Sequence, residues 1–502
     1  MHRYAPLFAL GILVACGGSE EPAPGDAPSG GQGAASGTPS GAGGNGTGAG
    51  DATTGSGASG GGAPKPPVDA SCALPGAAFC DAFAKPSPGG RAGDLDDADW
   101  SMARLGFGCG ADGFSFPKSP INVCGSWQTV MPGGPDSVFC VNEDNEPRWA
   151  EGFHDNTSFN HLSARIRQPF DFAGRTGIVQ WEADARTSGG HGWWVETWIT
   201  EEPVPGANLH IDQLVSSKNA VGIVLSLNCG APSPVDSTAG SGKVGVAEIV
   251  VVNDYQYTQA YDPFSGPDAN NRCVGTEQGK LNTVQFHVAQ NRIEVWASQA
   301  GSTELERIAE ADVDLPFTRG YVAISHVHYN AHKAEVTSFQ GYQWARAAFD
   351  GPQLSPPRAY EIPDSLSLTG SADCPEPEAY RIAYGVTDGV AYDMGAGMSS
   401  PTPLVFTGVD PSGGTGARLN FNTTYAAAGD TFRFRFNGKA WHDYVVPAIN
   451  TTWERQGHSI PVPVEDLVAG DNTLELDTDS VPFNMPLGSM QVANIDLEIE
   501  VP

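Results

Sequence analysis

The residues whose types and spacing suit chemistry lie in two consecutive candidate strands. In Gly192-Trp193-Trp194-Val195-Glu196-Thr197-Trp198 a period of two puts Trp194, Glu196 and Trp198 on one face. Indole faces stack on sugar rings through apolar contact, and a carboxylate between them accepts hydroxyl hydrogen bonds. In the preceding run Gln180, Glu182, Asp184 and Arg186 line one face, opposite Val179, Trp181, Ala183 and Ala185. If the two strands pair with both polar faces in one cleft, Glu196 lies about 5 Å from Glu182 or Asp184. That separation suits a retaining glycosidase, which makes Glu182, Asp184 and Glu196 the catalytic set of a hydrolase or lyase reading. A binding reading needs only Trp194, Glu196, Trp198, Glu182 and Asp184 as sugar contacts. The plain alternative is a solvated sheet face with the tryptophans in the core.

Other clusters give weaker signals. His326 and His328, at i and i+2 of a strand, point the same way and with His332 suggest a shared zinc ion, but no carboxylate partner stands nearby in sequence. Asp94, Asp96, Asp97 and Asp99 form an acidic run of the kind Ca²⁺ prefers, so structural calcium stands beside the ordinary reading of a solvated loop. Trp441, His442 and Tyr444 suggest a small aromatic patch, with core packing of Trp441 as the alternative. The strand-rich part of the chain carries neither a Walker loop nor a His-Glu-x-x-His motif, which lowers the odds of nucleotide-dependent or zincin chemistry. No catalytic cofactor is expected.

Composition sets the compartment. His2 and Arg3 precede an apolar run from Ala5 to Val14, too short to span a bilayer, and Leu13-Val14-Ala15-Cys16 resembles a bacterial lipobox. Residues 1–16 are therefore expected to be a lipoprotein signal, with Cys16 acylated and holding the protein to an outer membrane or cell surface. Gly17 and Gly18 follow in place of the Asp that retains lipoproteins at the inner membrane. Residues 17–70 are Gly-, Ser- and Pro-rich, lack material for a core and read as a disordered tether with a reach of roughly 40 Å. With 58 acidic against 27 basic residues and a formal charge of −31, nucleic acid is a poor partner, while neutral glycans or cations fit. Beyond Cys16, an exported chain with Cys72, Cys80, Cys109, Cys124, Cys140, Cys229, Cys273 and Cys374 reads as disulfide-bonded. Cys72 with Cys80, which flank a short apolar segment, and Cys229 with Cys273, in an otherwise Cys-free region, are the expected pairs.

The elements that must position these residues are short alternating runs of β-branched and aromatic residues between Gly, Pro, Asn and Asp. They predict an all-β sandwich, with strands near 177–186, 192–200, 220–227, 244–252, 282–289, 292–298, 320–328 and 335–345. A Pro-rich connector at Ser355-Pro356-Pro357 divides residues 71–352 from 353–502, read as a second, smaller sandwich. In it Thr431-Phe432-Arg433-Phe434-Arg435-Phe436 alternates as a half-buried strand and Asn437-Gly438 supplies a hairpin turn.

Several of these blocks together resemble the concanavalin A-like lectin/glucanase superfamily. They are Pro169-Phe170-Asp171-Phe172 through Gly177, the strands with Trp181 and Trp193 to Trp198, Thr200-Glu201-Glu202-Pro203-Val204-Pro205, His326 to Asn330, Gln343-Trp344 and Phe349-Asp350-Gly351-Pro352. The resemblance covers about residues 78 to 352 and implies a jelly roll of two antiparallel sheets whose concave face often holds a glycan. The glucanase branch carries its acids in a compact strand motif, of which Glu182-Ala183-Asp184-Ala185-Arg186 lacks the second Glu. Ala345-Arg346 likewise stands where the last strand of similar proteins has Asp-Asn, which puts in doubt any cation that the Asp would help to hold. The C-terminal part resembles the sandwich that follows in such proteins, through Ala440-Trp441-His442 and Ala469-Gly470-Asp471-Asn472-Thr473. The implied function is polysaccharide or glycoconjugate binding at the cell surface. A glycoside hydrolase or lyase, or an adhesion protein with a protein partner, remain the alternatives, and oligomeric state is left open.

Overall fold

The computed structural model describes residues 72–84, 95–106, 119–123, 126–130, 136–141, 146–153, 159–186, 193–206, 213–214, 217–226, 229, 242–261, 272–277, 279–329, 340–362, 392–395, 404–424, 429, 431–447, 455–477 and 489–502. The expected lipobox with Cys16, the tether, and Cys109, Cys124, Cys374, Asp94 and His332 lie outside them.

Alternation in the sequence becomes two large antiparallel sheets. The eight-stranded sheet runs Leu305–Asp312, Arg292–Ser298, Asn282–Ala289, Gly177–Arg186, Gln340–Asp350, Pro147–Phe153, Asp136–Val141, with Ala77–Asp81 added beside Gln340–Asp350. The nine-stranded sheet runs Gln256–Tyr261, Lys243–Asn253, Ala220–Ser226, Trp193–Thr200, Arg319–Tyr329, Phe159–Ile166, Trp100–Gly106, with two short additions. Their facing sides share one core: Val179, Trp181, Ala183, Val284 and Phe286 from the first sheet meet Val195, Ile199, Ile223, Ile249 and Ile324 from the second. This is an antiparallel jelly-roll sandwich, whose neighbouring strands come from distant parts of the sequence.

A second sandwich closes over a core of its own, including Leu404, Phe406, Leu419, Phe434, Phe436, Leu474 and Leu497. It pairs a six-stranded sheet, centred on Gly416–Thr424 and Ser489–Glu500, with a four-stranded sheet holding Thr431–Phe436 and Gly470–Asp477. The Asn437-Gly438 turn has φ of 51° and 66°, the left-handed pair that a tight hairpin demands.

The two sandwiches are layered, so the order of sheets is eight-, nine-, six- and four-stranded. Ile495, Leu497 and Ile499 of the last strand point into the second core, which turns Asp496 and Glu498 toward the nine-stranded sheet. There Glu498 Oε1 accepts from Arg165 Nη2 and Arg167 Nη1, each at 2.6 Å, and Asp496 Oδ2 accepts from Ser101 Oγ at 2.8 Å. Arg167 also donates to Glu361 Oε1 at 2.9 Å and to the carbonyl oxygens of Asp97 and Trp100 at 2.7 and 2.9 Å. Strand Gln213–Leu214 pairs in parallel with Arg455 and Gln456, Asn422 Nδ2 donates to the Pro205 carbonyl at 2.9 Å, and Arg418 binds Glu202 at 3.0 Å. Residues Ala58–Pro502 accordingly form one compact unit. The expected disulfides Cys72–Cys80 and Cys229–Cys273 are present, with Cα separations of 5.9 and 5.7 Å.

Candidate functional site

The expected pairing of Gly177–Arg186 with Trp193–Thr200 does not form, because the chain crosses from one sheet to the other between them. Gly177–Arg186 pairs with Asn282–Ala289 and Gln340–Asp350, whereas Trp193–Thr200 pairs with Ala220–Ser226 and Arg319–Tyr329. Both strands send their apolar parity into the shared core. Glu182 and Asp184 therefore occupy one outer face of the sandwich and Glu196 the other. Packed sheets lie roughly 10 Å apart, and these carboxylates point away from each other across that thickness. The retaining-glycosidase pair read from the sequence is absent.

On the outer face of the nine-stranded sheet, register places Ser163, Ser325, Glu196, Val224 and Glu248 in one row across five strands. Trp198 Nε1 donates to Glu196 Oε2 at 2.6 Å, and both side chains are fully buried. The Trp198 indole packs with Val204, Ala220, Val250, Val252 and Ala323, and it lies so close to Gly222 that a Cβ there would come 2.6 Å from the ring. A sugar cannot stack on it. Trp198 and Glu196 are thus corrected from expected contacts to a supporting pair beneath the face. Beside them Tyr257 Oη donates to Glu248 Oε2 at 3.1 Å, and both residues are half-buried. Burial, followed by the charges of Glu248 and Glu196, pushes the Tyr257 phenol well above its ordinary range. It stays protonated, a fixed donor to Glu248. Ser325 Oγ donates to Ser163 Oγ at 2.8 Å in the same row. Trp194 shares the parity of Glu196, one strand position pair nearer the start of its strand, with backbone register to Ser226 and Val327; its side chain lies outside the described residues.

Glu182 and Asp184 are corrected to the opposite face, where both are buried. Glu182 is ion-paired with Arg346 and accepts from Gln180 Nε2 at 3.3 Å, while Asp184 Oδ2 accepts the backbone N–H of Gly279 at 2.9 Å. Arg346, one of the two residues standing in place of Asp-Asn, thus holds a carboxylate. The same face carries residues that the sequence reading missed. Trp296, between Val295 and Ala297 of the core, is half-exposed; its Nε1 donates to Glu294 Oε2 at 3.2 Å. Its signal was legible, since Arg292–Ser298 alternates and Trp296 falls on the polar parity.

The remaining candidates separate. Among the described residues no group of three or more His, Cys, Asp or Glu is arranged to hold a metal ion. Asp96 and Asp97 instead shape a turn, whose carbonyls accept from Trp100 N and Arg167 Nε. The Trp441, His442 and Tyr444 patch does not form. Tyr444 turns inward to His458 Nδ1 at 3.0 Å, His442 pairs with Asp466 at 2.7 Å, and Trp441 lies 4.8 and 4.4 Å from the guanidiniums of Arg433 and Arg435.

No family model matches the chain, and no curated protein matches it. Similar solved structures include the exoplasmic/lumenal domain of VIP36 with Ca²⁺ and Man2 bound, at 12% identity and a TM-score of 0.27 over 44% of this chain and 81% of that one. LamAcat from Zobellia galactanivorans gives 8% identity and a TM-score of 0.30 over 56% of this chain and 99% of that one. Lectin II from Ulex europaeus gives 14% and 0.27 over 43% and 91%.

Proposed function

We propose that the protein is an exported, lipid-anchored glycan-binding protein that holds a polysaccharide or glycoconjugate on the outer face of the nine-stranded sheet without cleaving it. The observation that carries this reading is the Glu248–Tyr257 pair, half-buried on the same face as the buried Glu196–Trp198 pair. The Glu248 carboxylate and the Tyr257 phenol oxygen, whose proton is given to Glu248, offer acceptors to the hydroxyls of a sugar, and Trp194 shares their face by strand parity as the apolar partner of the reading. Glu196 and Trp198 fix the floor from behind. Cleavage forms no part of the reading, since Glu182 and Asp184 stand on the opposite sheet from Glu196.

Trp194→Ala and Glu248→Gln in the full chain should each reduce retention on the bound polysaccharide while leaving the thermal midpoint close to that of the parent. Undiminished retention in both variants would remove this face as the site, and failure of the parent to retain any glycan would favour adhesion to a protein partner. The anchoring half of the proposal rests on Leu13-Val14-Ala15-Cys16. Cys16→Ser should release the protein from the membrane fraction.

A further inference from the structure

The six-stranded sheet occupies part of the outer face of the nine-stranded sheet, but the eight-stranded sheet has no such neighbour among the described residues. On that outer face, beyond the part where Gln180 is buried under the Cys72 segment, stand Trp296, Gln285 and His287, brought together by register across two strands, with Trp296 opposite Gln285. Of the tryptophans whose side chains are described, Trp100, Trp149, Trp181, Trp198 and Trp344 are buried, which leaves Trp296 and Trp441 reaching solvent. Trp441 is covered by two guanidiniums. Among the described tryptophans Trp296 is the one that reaches solvent on the outer face of the eight-stranded sheet.

We propose that this face is a second glycan-contact surface, at which Trp296 takes the apolar side of a neutral sugar ring and the Gln285 amide, held from below by the buried Gln180, takes a hydroxyl. The proposal rests on the reading that the protein handles glycans, but it uses the other sheet. The platform is preorganised. The indole lies 5.8 Å from the His287 ring at 31°, Arg307 sits 5.9 Å from its centroid, and Glu294 holds its N–H. Arg307 is itself tied to Glu294 at 2.8 Å. Gln285 Nε2 donates to Gln180 Oε1 at 2.7 Å and its Oε1 meets His287 Nε2 at 2.8 Å, leaving a second amide N–H of Gln285 for a ligand. Side chains already held in place lose little freedom on binding, so apolar contact and hydroxyl hydrogen bonds are retained as affinity.

Charge selects the class of sugar. Each guanidinium here is matched: Arg346 by Glu182, Arg307 by Glu294 and Glu310, and Arg292 by Glu294, Glu310 and Asp312. Burial holds the His287 imidazole below its ordinary range, so it adds no positive charge near neutrality. Among the described residues the guanidiniums of Arg292, Arg307 and Arg346 are thus taken up by carboxylates, and the formal charge of −31 repels a polyanion.

Affinity electrophoresis of the full chain tests the inference, in gels carrying a neutral polymer (a β-glucan, a galactomannan or a dextran) or polygalacturonate. The expected result is retardation by a neutral polymer that falls about tenfold in Trp296→Ala, falls less in Trp296→Phe and is weakened in Gln285→Ala, without retardation by polygalacturonate. Thermal midpoints of the three variants should stay close to that of the parent. Full retardation of Trp296→Ala alongside loss in Trp194→Ala would overturn this surface and leave the nine-stranded face standing. Retardation lost in Trp296→Ala but kept in Trp194→Ala would do the reverse. Preference for polygalacturonate would overturn the charge argument, and a parent chain that no neutral polymer retards would overturn both surfaces.

Discussion

Trp181 Nε1 donates to Thr197 Oγ1 at 3.0 Å across the core of the first sandwich, joining the eight-stranded sheet to the nine-stranded one. Because both side chains point inward, their sequence neighbours Glu182 and Glu196 must point outward on opposite sides. This contact settles why three carboxylates close in sequence share no cleft. Thr197→Val keeps the shape but leaves a buried indole N–H without its acceptor, which should cost about 1–3 kcal/mol. Urea denaturation checks this, and glycan retention of the folded variant should be unchanged.

Trp198 carries packing. Trp198→Ala should destabilise by about 3–5 kcal/mol, as large aromatic truncations in cores do. Gly222→Ala drives a methyl into the same ring and should cost about 1–3 kcal/mol by overpacking. Thermal unfolding of the two variants separates this account from a surface role, in which Trp198→Ala would lose retention and keep its midpoint.

The two parities of Trp193–Thr200 explain what sequence could and could not reveal. Val195 and Ile199 face the jelly-roll core while Trp198 is covered on the other side, so this central strand is buried on both faces. Alternation marks a half-buried strand and has no means of distinguishing an indole under a second layer from one open to sugar. Strand positions, the hairpin at Asn437-Gly438 and both described disulfides were legible, because each depends on local spacing. The partner of each strand was not, since a jelly roll pairs Trp193–Thr200 with Arg319–Tyr329 over a long sequence separation. The layering of the two sandwiches left one trace, acidic residues at Asp496 and Glu498 alternating with Ile495, Leu497 and Ile499, which read equally well as a solvated face.

Arg167 is the hub of that layer contact, with its guanidinium fully buried between Asp496, Glu498 and Glu361. Arg167→Met strands these carboxylates away from water, and removing one partner of a buried ion pair costs about 3–5 kcal/mol. Denaturation should show the loss, and limited proteolysis should cut between the sandwiches sooner than in the parent. Equal resistance in the variant would mean that backbone pairing at Gln213–Leu214 and the Asn422 contact hold the layers without it.

His458 sets an acid limit to stability. Burial lowers its pKa from the ordinary 6.5 to about 3, with Tyr444 on Nδ1 and the Phe421 ring 5.1 Å away. Between these two values the unfolded chain binds a proton that the folded chain refuses, so this group's contribution lowers stability as pH falls from about 6.5 toward 3. Thermal midpoints measured across that window should decline, and His458→Gln should flatten the decline. A parallel decline in the variant would assign it to the carboxylates of the layer contact.

The most direct measurement is equilibrium binding of the full chain, disulfides intact, to a panel of polysaccharides, with each supernatant assayed for reducing sugar. Retention of polymer without released sugar is the predicted result. Release of reducing ends, or a panel on which nothing is retained, would contradict glycan binding without cleavage.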